Sequence, residues 1–355
     1  MSFLLAFLGF ALLIILHELG HFFAAKAVGM RVERFSLFFP PLVARYKRGE
    51  TEYAVGAIPL GGYVKITGMN PAEEIPPEHA HRAYYRQPVW KRIVVIGAGP
   101  AVNIVLAFLI LWVLLWANGV GEPTGKVERV TAEPAVGSLR EGDQLVSVDG
   151  VTGGFERLRE QISTHRCAEQ VDGCTAATPA VIVVSNDGEE RTLRLAPVYD
   201  SAQDDMFIGF QTGSEVRPIG PVEAADESVY QLWFFTSKTV ETIAGVFEAD
   251  KRDDISGVVG SYEVTRQTIE LSAERALYLL AIISLSLGVI NLFPFLPLDG
   301  GHIFWAVAEK LRGRAIPFSV MERAGFVGFV LVIALFMIGL TNDVGRLTGE
   351  GFGVR

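Results

Sequence analysis

The chain has 355 residues, half of them hydrophobic and 20% charged, with a mean hydropathy of +0.33 and a formal net charge of −9. That balance is too apolar for an ordinary soluble protein, and the net acidity makes nucleic acid a poor partner. An integral membrane protein with a large acidic polar part is the class that remains.

Four stretches are long and clean enough to span a bilayer, at about 3–25, 93–117, 276–298 and 324–340. The first has no basic leading region and no small-residue cleavage site, so it reads as a retained span rather than a signal peptide. It contains His17-Glu18-Leu19-Gly20-His21. On a helix the two histidines lie one turn apart on one face and can share a metal, while Glu18 points about 100° round the axis and addresses a water. Each ionisable group near mid-membrane costs roughly 2.5 to 3.5 kcal/mol, whereas a structural zinc site is worth on the order of 10 kcal/mol. Metal binding therefore offsets a cost that nothing else nearby could.

Residues 31–65 show short β-rich stretches broken by Pro40-Pro41 and Arg48-Gly49, which predict a small sheet or hairpin set. Within it Ile58, Gly61, Gly62 and Tyr63 belong to an apolar segment whose glycines allow close backbone approach. A substrate strand could pair there, or the segment is an ordinary hairpin. Four prolines between 70 and 88 suggest an irregular linker. The second span opens with Gly97-Ala98-Gly99-Pro100-Ala101-Val102-Asn103, where Gly97 and Gly99 permit tight helix packing. Asn103 is an amide in hydrocarbon and needs a partner, either across a helix interface or on a substrate carbonyl.

Residues 121–215 read as a domain of short strands and turns: a strand over 144–148 ending in Asp149-Gly150, a helix over 157–164, and strands over 180–185 and 191–195. Cys167 and Cys174 are too few for a zinc ribbon and wrongly spaced for a redox motif; a local disulfide and two unpaired thiols are the alternatives. Between 216 and 275 an amphipathic helix is indicated by Val229, Leu232, Trp233, Val240, Ile243 and Phe247, lying in a membrane interface or packed on the preceding domain. The third span ends in Asn291-Leu292-Phe293-Pro294-Phe295-Leu296-Pro297-Leu298-Asp299-Gly300-Gly301-His302. Its prolines break helical hydrogen bonding, so this backbone must be sheltered or line a cavity. Asp299 either joins the two histidines, leaving a fourth position open as in a catalytic site, or is a turn residue at a helix end.

Charge sets the orientation. Residues 25–92 hold 11 Lys+Arg against 6 Asp+Glu, net +5, and residues 119–275 hold 14 against 28, net −14. The first loop is thus expected in the cytoplasm, with both termini and the acidic middle segment outside.

Taken together, HELGH in a first span, GPAVN in a second and NLFPFLPLDGG in a third resemble the site-2 protease family of intramembrane zinc metalloproteases. The phrase from Pro134 to Gly150 resembles a PDZ domain, as in the bacterial branch of that family. Nearly the whole chain is covered. The resemblance implies a polytopic α-helical membrane protein with four transmembrane helices, a membrane-associated β-hairpin or sheet insertion and an extracytoplasmic PDZ-like α+β domain. The divisions would be 1–120, 121–215, 216–275 and 276–355.

It implies one zinc per chain on His17, His21 and Asp299, with Glu18 as general base and acid. Asn103, Asn291 and the 58–65 loop would hold substrate. The substrates would be single-pass membrane proteins, such as anti-sigma factors or signal-peptide remnants trimmed by an upstream protease, cut in a bacterial plasma membrane near its cytoplasmic side. One PDZ-like domain is present where some members have two, and its loop reads Gly137-Ser138-Leu139 in place of the commoner Ala-Gly-Leu. A membrane metal transporter or sensor would need neither a glutamate between the histidines nor a strand-presenting loop. A PDZ scaffold would need no intact metal motif.

Overall fold

The computed structural model describes residues 2–70, 73–201, 205–245, 257–314 and 316–349. The chain divides into two compact units, Met1–Leu115 with Pro221–Arg355, and Trp116–Gly220. Helix α1 (Ser2–Ala27) turns Ala6, Leu13, His17, Gly20 and His21 inward and Phe3, Leu4, Leu5, Leu8 and Leu12 outward. It stops because Gly29 takes φ +82°, a left-handed position suited to glycine, and Met30 N–H bonds back to Ala25 O at 2.9 Å.

Two long strands follow, β1 (Val32–Arg48) and β2 (Thr51–Ile66), and both bend. By register, 32–37 is antiparallel to 62–66 on one side and in step with 52–55 on the other, while 42–48 pairs with 51–56. The two strands thus make four staves, with 62–66 at one edge. Gly56 makes the bend possible, because a Cβ there would lie 2.1 Å from Phe39 O. The apolar end of the sheet reaches Phe7, whose ring is 6.3 Å from that of Phe38. Phe7 is ten residues before His17, about 15 Å along the helix. The sheet therefore lies alongside a membrane helix for half its length, with its apolar bends at membrane depth and Lys65, Glu33 and Arg31 paired at its base.

The proline-rich segment is more ordered than its composition suggests. Two 3-10 turns, Pro77–Arg82 and Tyr84–Arg86, dock on the sheet base through Arg82 to Glu50 (2.8 Å) and Tyr84 N–H to Thr67 O (2.8 Å). Helix α2 (Val89–Asn118) then runs as the second long apolar helix.

The 116–220 unit holds β3 (Val120–Val130), β4 (Gln144–Val148), β5 (Val151–Thr152), α3 (Phe155–Ser163), β6 (Ala180–Asn186), β7 (Glu189–Leu195), β8 (Val198–Asp200), β9 (Asp205–Phe207) and β10 (Phe210–Arg217). Its sheet runs β10-β3-β4-β6-β7, and Leu158 and Ile162 of α3 pack on Leu145, Val148, Ile182 and Val184. The strands and helix read from the sequence are all present, and Cys167 and Cys174 form a disulfide. Asp143 is buried, accepting from Arg140 N–H (2.8 Å), Asn186 (2.9 Å) and Arg191, which ties the loop before β4 to the β6–β7 hairpin.

Returning to the first unit, α4 (Pro221–Gly245) is the amphipathic helix; its expected Phe247 lies outside the described residues. Rather than lying free at an interface, α4 runs parallel to α6 (Ala273–Asn291), joined by Tyr278 OH to Gln231 (3.1 Å) and Thr239 to Ser286 (3.3 Å). Leu232 and Phe235 fill a cluster with Leu285, Val289 and Ala107. Between them in sequence, α5 (Val258–Leu271) packs its Tyr262 on Phe3 and Phe10 of α1. The third span differs from expectation: the helix ends at Asn291, residues 292–298 form a loop, and Asp299 begins a new helix, α7 (Asp299–Arg312). The prolines at 294 and 297 explain the break. Helix α8 (Phe318–Thr348) closes the described chain, and among the described residues α1, α2, α6 and α8 are the four helices apolar and long enough to cross a membrane.

Candidate metal centre

The three predicted ligands converge. His17 Nε2 and His21 Nε2 are 3.2 Å apart, and Asp299 Oδ2 is 3.1 Å from the first and 3.2 Å from the second. Both imidazoles are 7% exposed, and all three ligand atoms lie within 4.8 Å of one another. The Nδ1 of His21 is 2.9 Å from Val95 O, which fixes its proton there and leaves the Nε2 lone pair facing the cluster. Two imidazole nitrogens and a carboxylate closing on one point suit a divalent transition metal with a position to spare.

Glycine builds the cavity. A Cβ at Gly99 would sit 2.3 Å from His21 Nε2 and 2.8 Å from His17 Nε2, and one at Gly20 would sit 2.6 Å from Ala98 O. Helices α1 and α2 can approach and leave room at the histidines only because both side chains are missing. Asp299 is delivered by similar means: Gly300 lies against Leu292 O (2.1 Å to a notional Cβ) and Gly301 against Leu296 N (2.4 Å). From α8, Gly328 abuts the Leu296 carbonyl, again with no space for a side chain.

Glu18 is not part of the ligand cluster. It faces the sheet edge, where a Cβ on Gly62 would be 3.0 Å from Glu18 Cγ. Asn103 is fully buried one turn beyond Gly99 on the same face of α2, and neither atom of its amide has a protein partner. Its backbone carbonyl accepts from the Ser284 hydroxyl of α6 at 2.9 Å. Asn291 is different, its amide bonded back to Leu287 O of its own helix at 3.0 Å. Gly62 is at the site. Ile58 is 41% exposed, Gly61 is buried against the Phe39 ring, and Tyr63 stacks on that ring with its hydroxyl accepting from Arg34 at 3.2 Å.

Some contributors escaped the sequence reading. The Val95 carbonyl and Ser284 carry no signal of their own, while Arg92, a charge at the start of an apolar helix, announces a partner without naming it. That partner is Glu309 of α7, bound by two hydrogen bonds of 2.8 and 2.9 Å.

Four membrane-length helices around a buried His-His-Asp cluster, with a carboxylate beside it at a strand edge, define a membrane-embedded metallohydrolase. Comparison with known proteins makes this specific: the sequence profile of peptidase family M50 matches residues 5–335, and the chain belongs to that family. It is similar to the zinc metalloprotease Rip1 of Mycobacterium bovis and of Mycobacterium tuberculosis, 30% identical over 93% of each chain. A Rhizobium meliloti protein also named as a zinc metalloprotease is 28% identical over 95% of each chain. The chain is thus a multi-pass membrane protein and an intramembrane metalloprotease, as the resemblance implied.

Proposed function

We propose that His17, His21 and Asp299 hold the zinc ion that is this protease's cofactor, and that Glu18 is its general base and acid. The observation that carries the reading is that His17, His21 and Asp299 close on one point while Glu18, next to His17 on the same helix, stands against the strand edge at Gly62. The chemistry the metal supplies when bound is Lewis-acid polarisation of a carbonyl and acidification of water. Glu18 takes the proton of the attacking water and passes it to the leaving amine. Asn103, a buried amide with no protein partner, donates to a substrate carbonyl. A transmembrane helix hides its carbonyls, so the substrate must unwind, and pairing with 62–66 holds it extended. Asn291, turned onto its own helix, serves by shaping the loop that carries Asp299.

The substrates are single-pass membrane proteins, cut during regulated intramembrane proteolysis after an upstream trimming step. The charge asymmetry supports a cytoplasmic 25–92 segment and an extracytoplasmic 116–220 unit with both termini on that side. The sheet and helix of that unit support a PDZ-like domain that admits or excludes substrates by the bulk of their exported part. Replacement Glu18→Gln tests the core of the proposal. Zinc should stay bound near one per chain while cleavage of a transmembrane substrate falls at least about 100-fold, and undiminished cleavage would end the assignment.

A further inference from the structure

Helix α7 carries Asp299 at its first residue and is attached to the body along one stripe, Asp299, Ile303, Ala306 and Glu309, while Phe304, Val307 and Leu311 face outward. Its partner is α2. Along that helix Gly99 clears the histidines and the Val95 carbonyl orients His21, while Gly97, round the helix from Gly99, lies 3.9 Å from Ile303 by its notional Cβ and Arg92 grips Glu309 with both terminal guanidinium nitrogens. The helices run antiparallel, so the ion pair lies at the far end of α7 from the metal ligand. The apolar middle of this contact, at Ile303, would tolerate sliding. A planar two-point fork does not.

Arg92 is 7% exposed and its Nε has no partner. Glu309 is partly exposed, its side chain 28% open; ion pairs with a buried member contribute little stability over an apolar pair of equal volume, and their best-attested use is to fix register. We propose that Arg92 and Glu309 are positioning residues that set the register of α7 on α2 and thereby the depth of the Asp299 carboxylate. A slip of one residue moves a helix by about 1.5 Å, against a tolerance of about 0.2 Å in metal–ligand distance. This inference rests on His17, His21 and Asp299 being the ligands.

The test measures metal rather than turnover. Full-length protein is purified as Glu309→Gln, Arg92→Lys, the double variant Arg92→Met/Glu309→Met, and His21→Ala as a control. Zinc affinity is measured by chelator competition on the folded fraction, the Co2+-loaded absorption spectrum reports coordination geometry, and thermal unfolding is followed separately. The single variants and the double Met variant should all bind zinc about 10- to 100-fold more weakly and lose tetrahedral cobalt intensity. The double variant, having no unpaired buried charge, should melt near the parent. Parent-like zinc affinity in the double Met variant would overturn the proposal, since the pair would then be packing alone, and this variant decides the matter if the singles fail to fold. Parent-like affinity in His21→Ala would instead overturn the ligand assignment beneath it.

Discussion

At Gly99 the site depends on an atom that is missing. Any side chain there meets both imidazole nitrogens on backbone that cannot retreat, because Gly20 already holds α1 against Ala98 O. Gly99→Ala should therefore lower zinc occupancy more than about tenfold with every charge in the protein unchanged, measured by metal analysis of protein whose helical circular dichroism is intact. Full occupancy would mean that the helices can part. Asn103 makes the opposite kind of prediction. A buried amide without partners is a liability to the fold, so Asn103→Leu should raise thermal stability or leave it level. Cleavage should fall about 100-fold if the amide serves a substrate carbonyl; normal turnover in this variant would reduce Asn103 to a packing residue.

Among the elements, the strand edge at 62–66 carries the sharpest expectation. Proline at Gly61 or Gly62 removes a backbone donor or distorts the edge, yet neither residue supplies a ligand. Cleavage should drop steeply with zinc retained, and a substrate with a destabilised helix should not rescue it, because what is lost is the partner strand. Equal turnover by both variants would leave the sheet as scaffold. The four membrane helices, three of the strands of the 116–220 unit and the His17-His21 pair were legible because each rests on a local pattern: long apolar runs, alternation, or two histidines one turn apart; Asp299, 282 residues from His17, could be placed with them only by resemblance. The path of β1 and β2 was not, since a four-stave sheet made from two bent strands depends on pairing between segments up to 34 residues apart, as in Val32 with Ile66. The separate start of α7 followed from Pro294 and Pro297 but not its docking. Glu309 looks like any loop-side acid until α7 is laid against α2.

For the molecule as a whole, the two units answer to different variables. In the 116–220 unit burial pushes the Asp143 carboxyl up, but Arg140 N–H, Asn186 and Arg191 outweigh it and hold it below its ordinary value. Asp149 is exposed at the surface, and there too Val181 N–H, His165 and Gln161 outweigh its partial desolvation and hold its carboxyl below the ordinary value. A carboxyl depressed in the folded state adds stability above its unfolded value, about 3.9, and that stability is lost as pH falls through the folded value. Amide exchange across 116–220 in the full-length protein, corrected for intrinsic rate, should accelerate below about pH 4, and Asp143→Asn should flatten that dependence. Protection indifferent to pH would contradict it. The other unit should respond to lipid. Helix α8 is tied at two heights: Gly328 bears on Leu296 beside the ligand loop, and Asp343 accepts from Gly257 N–H (3.0 Å) and Gly260 N–H (2.7 Å) at the start of α5. Residues 324–341 between its charged ends are uncharged and about 27 Å long, close to a hydrocarbon core of about 30 Å. A thicker bilayer must therefore stretch, tilt or thin around a strut whose lower anchor is the loop leading into Asp299. In vesicles of graded acyl-chain length, cleavage should peak near the matched thickness and decline beyond it, so that membrane thickness itself becomes a setting on the protease.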